Sequence, residues 1–299
     1  MKRILQYFLL MALILLYACE GLLEKEPIHQ LSASEFFSSE SDLEIYSYSF
    51  YENGLPSVDN IAKGDGTSDL AAVTIPSTFL TGVWSSTDQG GWGVGSWSAL
   101  RNINYFLEKA EKTPVPEAVL NHYIGLARYW RAVFYLEKVQ TFGAVPWYET
   151  ALHPGDPDLY KGRDSREFVM QKVLEDITFA ATHIRENKDT YSTLVNRYTA
   201  LAMKSRICLY EGTYRKYHTE LGLTDAATWL REAADAAREV MDNGGYSLYN
   251  TGKPESDYRT LFTSEELSKL PAISKEVILA RGMNTDSRIW HSLTWNFNS

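Results

Sequence analysis

Three tryptophans fall within fourteen residues, amid glycines, in the run Trp84-Ser-Ser-Thr-Asp-Gln-Gly-Gly-Trp92-Gly-Val-Gly-Ser-Trp97. Such side chains carry CH-rich, amphipathic faces that stack on pyranose rings and polar tips that hydrogen-bond hydroxyls. Trp92, flanked by Gly91 and Gly93, has the conformational freedom to sit at a surface and is the first candidate platform. Trp84 and Trp97 are expected chiefly to anchor the loop against helices, and Trp84 stays in the candidate ligand-binding set. Upstream, the piece KGDGTSDL places Asp65 and Asp69 on a turn-forming loop. Its spacing is not that of an EF-hand, so both enter as candidate ligand contacts and no metal is assigned.

Residue spacing argues against several other chemistries. Gly91, Gly93 and Gly95 have neither a preceding strand nor an acidic residue at the distance a dinucleotide loop needs. The chain contains no His-Glu-x-x-His, Cys-x-x-Cys, Gly-Lys-Ser/Thr or Gly-x-Ser-x-Gly motif, and its six histidines are scattered. No catalytic residue and no cofactor is therefore assigned. A net charge of -9 argues against nucleic acid or an anionic bilayer as ligand. With 44% hydrophobic and 22% charged residues, the chain is an ordinary globular protein of one or two domains. The 19 Tyr and 8 Trp are its unusual feature.

The elements that must position the loop are helical. From Asn121 to Thr150, apolar residues at Tyr123, Ile124, Ala127, Trp130 and Phe134 recur at helical spacing, while Leu126, Val133, Leu136 and Val139 fill the opposite side. A helix apolar nearly all round is buried. Phe142-Gly143 and then Pro146 supply its stop. Arg128 and Arg131 lie inside this run, and each is expected to pair with a carboxylate or helix-end carbonyls of a neighbouring helix. Further helices are read over Ser98–Lys112, from Arg166, over Asn196–Tyr217 and over Ala226–Met241, and one after Ser34 carrying Phe36, Phe37, Leu43 and Tyr46. Beyond Tyr246, the runs SLYN, YRTLF and EVILARGMN favour strands. Cys208 lies in a helical pattern as a small buried hydrophobe.

Met1 to Cys19 combines Lys2 and Arg3 with an apolar stretch from Ile4 to Leu16, too short for a comfortable membrane span. Leu16-Tyr17-Ala18-Cys19 looks like a bacterial lipobox, which makes Cys19 the lipidated first residue of the mature protein. A disulfide between Cys19 and Cys208 is the alternative.

The run GLARYWRAVFYLEKVQTFGAVPW resembles the motif of the SusD/RagB family of outer-membrane nutrient-binding lipoproteins, in which an Arg-Ala and aromatic run ends in Phe-Gly-x-x-Pro. Ser98–Lys112, the helix containing Asp176-Ile177 and the Glu276–Leu279 stretch resemble further family segments. The resemblance covers roughly Phe36 to Arg281. It implies a mainly α fold of tetratricopeptide-like helical pairs with irregular loops and a small, incomplete C-terminal α+β part. It divides the chain into a signal peptide (1–18), a lipidated tether (19–34), a helical-repeat region (35–245) and the start of a C-terminal subdomain (246–299), where Trp290, Trp295 and Phe297 lack a following element to pack on. It adds Asp88 and Gln89 to Trp92, because the family's loop before the Ser98 helix contributes to the glycan site. It further implies a surface-exposed outer-membrane lipoprotein that captures a glycan and passes it to a SusC-like TonB-dependent transporter, without catalysing a reaction. The competing readings are a helical scaffold for peptide or protein and a lipid-anchored glycoside hydrolase, whose carboxylate pair nothing in the sequence selects.

Overall fold

The computed structural model describes residues 36–55, 68, 70, 78–82, 90–93, 95–263 and 275–282. Among them run helices α1 (Glu40–Ser47), α2 (Ser49–Gly54), α3 (Thr78–Thr81), α4 (Ser98–Ala110), α5 (Glu117–Phe142), α6 (Arg166–His183), α7 (Arg197–Tyr217), α8 (Ala226–Asn243) and α9 (Pro254–Thr263). Each helix from α4 to α8 packs on the next, and α1 and α2 lie against α5. That neighbour-to-neighbour order is the arrangement of stacked helical pairs, and the fold is mainly α as expected. No helix among the described residues is long and apolar enough to cross a membrane.

Helix α5 is the centre. It is buried through Tyr123, Leu126, Ala127, Tyr129, Trp130, Ala132, Tyr135 and Val139. Its last turn closes where Gly143 takes a φ of 71° and donates its N–H to the Val139 carbonyl at 2.9 Å. The predicted partner of Arg131 is Asp176 on α6, met through Nε at 2.6 Å and Nη2 at 2.9 Å. Arg128 reaches the same carboxylate at 3.8 Å and lays its guanidinium over Phe179, 4.3 Å from the ring centre.

A second buried ionic cluster joins α6 and α7. Glu211, fully buried, receives Arg166 through two bonds of 2.7 Å and Arg215 at 2.8 Å. The close approach of α7 to α8 depends on Gly212, where a Cβ would lie 2.8 Å from Leu230 Cγ and 3.0 Å from its backbone N. Helix α7 starts at a reciprocal cap, in which Asn196 Oδ1 accepts the Thr199 N–H at 2.9 Å and Thr199 Oγ1 accepts the Asn196 N–H. Cys208 is free and buried, and burial pushes its thiol up to about 12.

Two expectations change. The helix read as one run after Ser34 through Phe36, Phe37, Leu43 and Tyr46 is interrupted at residues 37–39, and α1 starts at a cap on Ser39, because Ser39 and Asp42 exchange side-chain and backbone bonds that fix its start at Glu40. Ser34 lies outside the described residues. The β-favouring run YRTLF is part of helix α9, where Pro254 opens the first turn and the Asp257 carboxylate accepts from Thr251 N at 2.8 Å and Lys253 N at 3.3 Å. Residues 275–282 form no strand. Their backbone groups bond to separate segments, Lys275 O to Ser247 N at 3.0 Å and Ala280 N to Ser192 O at 2.7 Å, so no ladder has a continuous partner.

Candidate ligand-binding site

Along α5, Phe134, Lys138 and Phe142 share one stripe at intervals of four residues. The glycine-rich turn before α4 docks on that stripe. Lys138 Nζ donates to the Gly91 carbonyl, and its ammonium lies 5.0 Å from the Trp97 ring centre and 5.1 Å from that of Phe134. Only 9% of Lys138 is exposed, and burial holds its ammonium below the usual lysine value against a smaller opposing effect of Glu137. A charge so placed is supported by ring faces and a carbonyl.

Trp92 is half-buried beside this clamp. It meets Trp97 edge to face at 5.3 Å and Phe142 at 5.0 Å. Trp97 in turn packs on Phe134 at 5.6 Å and Tyr148 at 6.0 Å, which is the anchoring expected of it. Trp92 is thus one ring of a five-ring aromatic cluster, with part of its surface open to solvent.

The excursion after α5 closes the other side. An isolated bridge pairs Val145 with Asp164, and Asp164 Oδ2 accepts the Trp147 N–H at 2.7 Å. Lys161 pairs with the same carboxylate at 3.0 Å and stands 4.8 Å from the Tyr148 ring centre. These ties bring Arg163 back over Trp92, its guanidinium carbon 4.7 Å from the indole centre. Tyr148 is fixed as well, its hydroxyl donating to the Asp158 carbonyl at 3.1 Å and its backbone N–H to Tyr135 Oη at 2.7 Å.

Of the predicted ligand residues, the described structure places Trp92; Asp65, Asp69, Trp84, Asp88 and Gln89 lie outside the described residues, as does Cys19. The additional groups are Lys138, Tyr148, Lys161 and Arg163. Lys138 was readable from its spacing between Phe134 and Phe142. Arg163 carries no local pattern, because a bridge to Val145 places it. Chemically the surface offers aromatic faces and cationic donors. Among the described residues no group of three or more His, Cys, Asp or Glu side chains is arranged to hold a metal ion.

No protein-family model matches the sequence. A SusD-like protein of Formosa agariphila is 24% identical over 231 residues, a match covering 72% of this chain and 44% of that protein. A solved SusD-like protein from Bacteroides fragilis superposes with a TM-score of 0.66 at 20% identity, over 89% of this chain and 49% of that one. Another structure, solved with a xylogluco-oligosaccharide, superposes with a TM-score of 0.55 at 18% identity, over 84% of this chain and 46% of that one. This chain spans about half the length of the relatives it matches. The fold of this chain is that of these SusD-like structures, and its sequence is similar to the Formosa agariphila SusD-like protein over 72% of this chain.

Proposed function

We propose that this chain binds an oligosaccharide at the surface built around Trp92 and catalyses no reaction on it. The observation that carries this reading is the half-buried Trp92, held edge-on by Trp97 and Phe142 in a fold that has been solved elsewhere with a xylogluco-oligosaccharide. A pre-seated indole loses little conformational freedom when a sugar stacks on it, so most of the contact energy appears as affinity. Asp65, Asp69, Trp84, Asp88 and Gln89 complete the proposed contact set. In the same reading Cys19 carries the lipid anchor, the protein sits on the outer membrane, and the captured glycan passes to a SusC-like TonB-dependent transporter.

The test is affinity electrophoresis of the full chain through gels containing a panel of soluble polysaccharides, xyloglucan among them, with product analysis of each. Retardation by at least one glycan without new reducing ends is the expected result. A folded chain that no glycan retards, or one that cleaves its ligand, removes the reading.

A further inference from the structure

Arg163 is exposed and lies in the excursion that the Val145–Asp164 bridge folds back on the aromatic cluster. Its guanidinium stands over Trp92 at 4.7 Å, and among the described residues it makes no ion pair. The nearest carboxylate in sequence, Asp164, already holds Lys161 at 3.0 Å and the Trp147 N–H at 2.7 Å. A guanidinium stacked on an indole has its plane set by the ring, while its edge N–H groups stay available. That is the arrangement a planar or tetrahedral oxyanion accepts through two parallel bonds.

We propose that Arg163 makes the Trp92 surface select an acidic oligosaccharide, gripping a carboxylate or sulfate on a sugar that rests against the aromatic cluster. The inference rests on the reading of Trp92 as a sugar platform and adds the charge of the sugar to it. A neutral ligand would have to displace the guanidinium from the indole or leave that face unused. An acidic ligand keeps the stack intact and adds bonds to it. Two further cations lie against rings of the same cluster, but Lys138 is buried and held by the Gly91 carbonyl and Lys161 is paired with Asp164, so the anion contact falls to Arg163. This grouping runs against the composition of the whole chain, whose net charge is -9. Long-range attraction of an anion is therefore weak, and selection must come from the local contact.

The experiment is titration calorimetry of the full chain with two sets of probes. Oligogalacturonides and glucuronoxylan fragments carry carboxylates, and carrageenan oligosaccharides carry sulfates; each is paired with its carboxyl-reduced or desulfated form. Binding of a member of one set, with loss of roughly tenfold or more in affinity on neutralising the acid, is expected from bonds to a charged group. The set that binds identifies carboxylate or sulfate as the recognised group. Arg163→Gln should lose the same factor for the acidic form, bind the neutralised form no more weakly than the wild type does, and keep the melting temperature. Equal affinity for acidic and neutralised forms, or acidic binding untouched by Arg163→Gln, overturns the proposal. Binding of neutral glycans alone overturns it while leaving the Trp92 reading in place, and binding of no glycan overturns both.

Discussion

Arg131 and Asp176 are joined across the α5–α6 interface by two bonds of 2.6 and 2.9 Å, and Arg131 Nη1 continues to Asn104 Oδ1 on α4 at 3.1 Å. The same Asn104 donates from Nδ2 to the carbonyls of Tyr148 at 2.9 Å and Thr150 at 3.1 Å. One buried polar chain therefore sets three successive helices and the backbone beneath Tyr148 of the candidate site. Its position in the fold connects stability to function.

Removing the carboxylate leaves Arg131, 5% exposed, with an uncompensated buried charge. Asp176→Ala is expected to cost about 3–5 kcal/mol, the range for breaking one partner of a buried pair. The shift in urea midpoint at constant slope measures it. A midpoint within experimental error of the wild type would show that solvent replaces Asp176.

Gly212→Ala gains about 1 kcal/mol of helix propensity, but the added Cβ must displace Leu230, part of it backbone. Overpacking of that kind costs about 1–3 kcal/mol, so the net effect should be destabilising. Thermal unfolding of the variant reads the sign, and a raised melting temperature would mean that α8 shifts freely on α7.

His122 gives the pH dependence. Burial holds its imidazole down at about 4, with Arg185 acting in the same direction and Glu40 opposing. Its Nδ1 accepts the Arg185 N–H at 3.2 Å, which requires the neutral ring. Between the ordinary value of 6.5 and about 4 the unfolded chain binds a proton that the folded chain does not. Stability is therefore lost as pH falls through that window, by on the order of 1–2 kcal/mol once solvent screening is allowed for. The difference between wild type and His122→Gln in unfolding free energy, followed from pH 7 to 4, should narrow by that amount. A constant difference would place the titration elsewhere.

Much of this architecture was written locally. An all-round apolar run ending in Phe142-Gly143 and Pro146 marks α5, and two arginines inside it demand a carboxylate, which α6 supplies as Asp176. Phe134, Lys138 and Phe142 also share a readable face. What that face receives was not readable, because the Gly91 turn and Arg163 reach it through contacts 47 residues and one isolated bridge away from any local period. YRTLF shows the opposite failure: side-chain preference suggests a strand, but Pro254 and the Asp257 cap start a helix, and no neighbouring strand competes among the described residues.

Lys138→Met keeps most of the side-chain bulk and removes the bond to Gly91 and the charge among the rings. Losing these contacts is offset by no longer burying an ammonium, so unfolding free energy should change by no more than about 1 kcal/mol. The Gly91 turn should loosen instead. Faster amide exchange at Gly91 and Trp92, with the rest of α5 unchanged, is the expected observation; unaltered exchange would show that Trp97 alone holds the turn.

The central claim is that Trp92 is the stacking platform, and a calorimetric titration of wild type and Trp92→Ala with a glycan that retards the wild type tests it most directly. The account predicts an affinity loss of about 1–3 kcal/mol with helical circular dichroism unchanged, since the ring is seated at the edge of the core and not within it. A folded Trp92→Ala variant that binds the glycan as tightly as the wild type would contradict the account.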